Sequence, residues 1–115
     1  MYAIRTDKSK NRIYITLGGI ETGEGEALVA GIKAETATLT PGFACVSDIT
    51  CFAVLDPGEA VWADTALKNL ADAGMTRAIR VTGRKVEYRE TTEKYGYKVG
   101  LAETIEDADR ILDSL

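Results

Sequence analysis

Two aspartates, Asp48 and Asp56, stand eight residues apart near the middle of the chain. A carboxylate pair held together can divide acid and base duties when its surroundings push the two pKa values apart. Asp48 follows the apolar run Phe43–Val46 and Ser47, so it falls at the carboxyl end of an expected strand. Sites in open α/β sheets form at that end. Asp56 precedes Pro57 and stands three residues before Glu59, which is a helix-start signature with proline at the first helical position. Each aspartate therefore has a structural task that competes with chemistry. Asp48 can satisfy backbone donors where the strand ends, and Asp56 can cap the helix. The charge on Asp56 also discourages anion binding at that helix start. The expectation is that neither is catalytic.

Other reactive types are sparse. The chain has no histidine, which removes Ser-His-Asp and Cys-His catalysis. Its two cysteines, Cys45 and Cys51, are too few for a zinc site of the usual four ligands. Cys45 lies in the apolar run, where burial is its expected role. Cys51 lies in the following loop, where exposure would make it reactive, but no histidine is present to activate it. The glycine-rich stretch Gly18–Gly25 is not a phosphate loop, because no Lys-Ser/Thr follows it and Glu21, Glu24 and Glu26 would repel phosphate. No metal and no tightly held cofactor are expected.

The elements that would position these residues can be read from pattern. Tyr2–Arg5 alternates weakly, Asp7–Asn11 is a polar turn, and Arg12–Leu17 alternates with Ile13, Ile15 and Leu17 on one face. These predict an antiparallel hairpin towards one side of a sheet. A helix is expected from near Thr22 to about Thr38, with Leu28, Ile32 and Leu39 near one face. Gly31 and many alanines would make it thin enough to pack closely. Pro41-Gly42 is turn chemistry, and the unbroken run after it fits a strand covered on both faces. A second helix should run from Pro57 to about Ala73, with a stripe of Ala63, Ala66, Leu67, Leu70 and Ala71 and a cap at Gly74. Trp62 falls beside that stripe and is expected to pack. Arg77–Thr82 and Tyr97–Leu101 read as strands. Thr104–Asp107 is a capping-box-like start for a last helix with Ile105, Ala108, Ile111, Leu112 and Leu115 on its apolar face. Between the last two strands, Val86–Tyr95 fits two readings. Tyr88, Thr92 and Tyr95 have helical spacing, whereas Val86-Glu87-Tyr88 fits a strand. The alternation predicts one α/β domain over 1–115, with a mixed, mostly parallel sheet of about 4–5 strands, Phe43–Val46 and Ile79–Val81 being interior.

With 115 residues the chain can bury one modest core. No apolar run approaches a membrane span, and the start MYAIRTDKSK has no signal-peptide hydrophobic region, so a cytoplasmic location is expected. The net charge of −4 gives no general attraction to nucleic acid. Residues 77–98 hold seven basic side chains against three acidic ones, with Tyr88, Tyr95 and Tyr97 among them. Such a run can contact an acidic partner. The plainer expectation is a solvated face with intrahelical pairs such as Glu90–Lys94.

The segments NRIYITLGGI, LTPGFACVSDITCF, ALKNLADAGMTRAIRVTG and GYKVGLAETIEDADRIL resemble the STAS-like, or SpoIIAA-like, α/β domains of bacteria. The similarity covers most of the chain. The best-known members are anti-sigma-factor antagonists, with a phosphorylated serine at the start of the helix after the central strand. Asp48-Ile49-Thr50 matches the family's strand end, and Asp56-Pro57-Gly58 falls on the serine-bearing segment without a serine or threonine at 57 or 58. The resemblance therefore implies a divergent member without the phosphorylation switch. It implies a non-enzymatic module that regulates or scaffolds a protein partner through Thr50, Phe52, Val54, Leu55, Asp56, Pro57 and Trp62, beside the strand-end polar groups Ser47 and Asp48. The large apolar groups of that stretch fit a contact surface and equally fit closure over the core. Databases sometimes group this branch with Sec14-type lipid-binding proteins, so the alternative is a carrier of a small apolar or lipid-like ligand. Homodimerisation through the hairpin edge or the same patch is a third expectation.

Overall fold

Residues 1–21, 23–51 and 60–115 are described in a computed structural model of the chain. The hairpin forms as its alternation requires. β1 (Tyr2–Asp7) and β2 (Arg12–Leu17) pair antiparallel, Ile4 lying opposite Ile15. α1 (Glu24–Thr36) then crosses back to β3 (Ala44–Asp48), which lies parallel to β2. α2 (Ala60–Asp72) leads to β4 (Arg77–Val81), parallel to β3. β5 (Thr91–Thr92), β6 (Lys98–Ala102) and α3 (Ile105–Asp113) complete the chain. The sheet order is β1-β2-β3-β4-β6-β5, with four parallel strands at the centre and an antiparallel strand at each edge. Among the described residues no helix is long and apolar enough to cross a membrane.

The expected mixed α/β sheet is present, with the hairpin at one side and β3 and β4 inside it. The count differs, with six strands in place of 4–5. The extra strand is β5, two exposed residues added to the edge of β6, too short to show alternation. Neither reading of Val86–Tyr95 holds as expected: no helix forms there, Val86-Glu87-Tyr88 is not a strand, and Gly96, at φ 92°, turns the chain from β5 into β6. The expected pair Glu90–Lys94 is absent. Glu90 instead holds Arg77 at 2.6 Å and accepts from the Tyr88 hydroxyl, while Lys94 reaches Asp64 on α2 at 2.6 Å. Tertiary partners replace the local one.

Pleating sends alternate residues of each strand to opposite faces. On one face Ile13, Ile15, Cys45, Ala78 and Val99 meet Leu28, Ile32, Ala66 and Leu70 of α1 and α2. On the other face Tyr14, Val46, Ile79, Val81 and Ala102 meet Ala108, Ile105, Ile111 and Leu112 of α3. Leu115, expected on that face, lies past the helix end and is exposed. The start of α3 is as its sequence indicates, with the Thr104 side chain accepting from the Asp107 N–H.

Arg12 fastens α3 to the sheet. Its side chain is 7% exposed and reaches Asp109 at 3.1 Å and Asp113 at 2.6 Å, and the Tyr14 hydroxyl donates to the same Asp109 oxygen. The bond from Arg12 holds the Asp113 carboxyl below its ordinary pKa. α1 is thin where it must be. A Cβ on Gly25 would lie 2.4 Å from the Trp62 ring of α2, and one on Gly31 would lie 2.9 Å from Ile4 of β1.

Candidate functional site

The two helices do not fill the space above their face of the sheet. Between them and the carboxyl ends of the central strands lies an apolar cavity of about 270 Å³. β2 supplies Ile15 and Leu17, α1 supplies Leu28 and Ile32, and α2 supplies Trp62, Ala63, Ala66, Leu67 and Leu70. Ser47, Ile49 and Arg80 close it at the sheet. Ala63 and Ala66 are the smallest side chains in its wall.

The strand ends decide where the polar groups point. Ser47 shares its face with Cys45, whose thiol lies 3.5 Å from the Ser47 hydroxyl. Asp48 points to the opposite face and accepts from the Thr50 N–H at 3.0 Å, the strand-ending role its position suggested. Ser47 thus lines the cavity and Asp48 does not. Arg80 is the neighbour of Ser47 across the parallel β3–β4 pair and turns the same way. Thr50 is exposed, its methyl group over Gly83, so that a Cβ added at Gly83 would meet it at 2.8 Å. Trp62 packs, as expected, with its ring against Gly25 and the cavity. Phe52, Val54, Leu55, Asp56 and Pro57, and with them the Asp48–Asp56 pairing and the helix start at Asp56, lie outside the described residues.

Among the described residues no three His, Cys, Asp or Glu side chains converge as a metal site would need. The basic run 77–98 does not form one patch. Arg77, Arg89 and Lys94 each bridge a carboxylate, Lys98 donates to the Thr92 hydroxyl, and Arg80 turns into the interior. Sequence reasoning passed over Arg80 as a site residue. Its signal was available, because in Arg77–Val81 the alternation puts Arg80 on the face of the buried Ala78.

The two cysteines separate cleanly. Cys45 is 1% exposed, and burial pushes its thiol up to about 11, whereas Cys51 is exposed. The thiolate is the reactive form, so iodoacetamide is expected to add once to the native protein, at Cys51, and twice in denaturant. Intact-protein and peptide mass spectrometry reads this directly. Labelling of Cys45 as fast as Cys51 in the folded protein would contradict the packing of β3. Comparison of the chain with protein-family models, with curated proteins and with solved structures gave no match.

Proposed function

We propose that this domain is a non-enzymatic binding module whose ligand, small and apolar or lipid-like, sits in the cavity between the sheet and the two helices on its face. One observation carries the reading. The space of about 270 Å³ is lined almost wholly by aliphatic side chains and lies at the carboxyl ends of parallel strands. Ligand clefts in α/β sheets form there, and small-molecule sites are concave, mostly apolar and begin at about 300 Å³. The STAS-like resemblance is compatible with this through its Sec14-type grouping. Its other implication, a regulatory protein partner, rests on a surface that lies mainly at residues 52–57, outside the described residues.

Trp62 is the single tryptophan and lines the cavity, so it reports on occupancy. Titration with 1-octanol, a neutral probe of nine heavy atoms, is expected to change Trp62 emission saturably. Ala66 is buried and lines the cavity, so Ala66→Leu places three more carbons in the space. That variant is expected to keep its near-UV circular dichroism and to bind the probe at least about tenfold more weakly, equivalent to about 1.4 kcal/mol. Equal affinity in the two proteins, or no saturable change in the native one, would remove the cavity as the ligand seat.

A further inference from the structure

We infer that the ligand is a singly charged carboxylate amphiphile, with its head on Arg80 and Ser47 and its chain in the cavity between α1 and α2; this rests on the reading of that cavity as the ligand seat. The observation behind it is a cation to which the described residues supply no carboxylate. Arg80 is only partly exposed and lines a space whose other walls are aliphatic apart from Ser47 and the Trp62 ring. Arg12, Arg77, Arg89 and Arg110 each bridge a carboxylate, whereas among the described residues none lies within 4.0 Å of Arg80.

The ionisable groups that feel Arg80 do not supply the missing charge. Cys45 and Tyr97 both feel Arg80, Tyr97 also through a side-chain hydrogen bond, and burial raises the pKa of both, the thiol to about 11, so both are neutral near pH 7. A charge withdrawn from water is costly unless it is paired. An anion entering the cavity would provide the pair.

The head group follows from the donors. A guanidinium presents parallel N–H groups that match the two oxygens of a carboxylate, and the Ser47 hydroxyl, one strand away, can donate a third bond. Adjacent strands lie about 4.8 Å apart, which lets both side chains reach one small anion. A phosphate monoester carries about −1.5 to −2 charges on three oxygens, more than one arginine and one hydroxyl balance. The chain length follows from the volume. At about 30 Å³ per heavy atom, the share of a water molecule in the liquid, 270 Å³ holds roughly nine atoms. Octanoate, with ten heavy atoms, is close to that size.

The test compares octanoate with 1-octanol, its neutral counterpart, through the change each makes in Trp62 emission at about pH 7.5, where the acid is ionised. Octanoate is expected to bind at least about tenfold more tightly than octanol. Arg80→Met should abolish that preference while octanol still binds, and Arg80→Lys should restore part of it. Equal binding of acid and alcohol by the native protein would overturn the assignment of Arg80 and leave the cavity as an apolar seat. Failure of both to bind would overturn the seat itself. Tighter binding of octyl phosphate than of octanoate would overturn the carboxylate. The native-protein comparison decides the question even if the methionine variant unfolds.

Discussion

Phe43→Ala is expected to destabilise the domain by about 3–5 kcal/mol, the usual cost of a large aromatic lost from a core. Phe43 is 1% exposed and is the largest fully buried side chain described. It sits where the Pro41-Gly42 turn enters β3, inside the cluster shared with α1 and α2. Its carbonyl accepts from the Thr76 N–H at 3.0 Å, so the residue also ties the entries of β3 and β4 together. A domain of this size holds a total stability of about 5–15 kcal/mol, so this one truncation removes a large fraction. Urea unfolding should show a lower midpoint with an unchanged slope. Val61 is the comparison, since it is exposed on α2 and Val61→Ala should stay within about 0.5 kcal/mol of the native protein. A loss below about 1 kcal/mol for Phe43→Ala would mean that the cluster closes over the gap, contrary to its packing.

Much of this arrangement is legible in the chain because it is set locally. The unbroken run Phe43–Val46 bounded by Pro41-Gly42 gives a strand covered on both faces, and both core clusters do meet on it. Thr104 and Asp107 specify the start of α3 through a contact three residues long. Residues 84–95 show the opposite case. The spacing of Tyr88, Thr92 and Tyr95 fits a helix, but Tyr88 lies over Gly100, whose added Cβ would come within 2.3 Å of its ring, and Tyr95 donates to Asp64 on α2. Those partners are distant in sequence, and they outweigh a weak local periodicity. The pairing of Glu90 with Arg77, across 13 residues, has the same origin.

The candidate site was legible only in pieces. The inward turn of Arg80 could be taken from strand alternation, and Trp62 beside the α2 stripe was expected to pack. What the sequence does not carry is the volume between three elements. That volume depends on how closely α1 approaches α2, which is set by the Trp62 ring meeting Gly25. Nor does it show which arginine is paired. Arg12 and Arg80 both sit on central parallel strands, but Arg12 faces α3 and meets two carboxylates there, while Arg80 faces α1 and α2 and meets the cavity. The first side chain is tied by two ion pairs, and the second has none among the described residues.

Gly74→Ala is expected to cost about 2–5 kcal/mol, the sum of about 1–2 for a left-handed backbone bearing a Cβ and about 1–3 for overpacking. Gly74 ends α2 at φ 109°, its N–H donating to the Ala71 carbonyl while the Met75 N–H returns to Leu70. Its own carbonyl accepts from the Gly42 N–H at 2.8 Å, which locks the helix end against the Pro41-Gly42 turn. A Cβ at Gly74 would lie 2.7 Å from the Pro41 Cα, and backbone cannot swing aside as a side chain can. Gly42 and Gly96 isolate the two contributions, since they have φ of 95° and 92° and an added Cβ at either meets nothing within 4 Å. Gly42→Ala and Gly96→Ala should therefore lose only about 1–2 kcal/mol each, the backbone part alone. Equal losses at all three positions in urea unfolding would rule out the Pro41 contact. The helix end and turn lie where β3 and β4 begin, at the opposite end of those strands from Ser47 and Arg80. Folded Gly74→Ala protein should accordingly bind 1-octanol with native affinity, separating loss of stability from loss of the site.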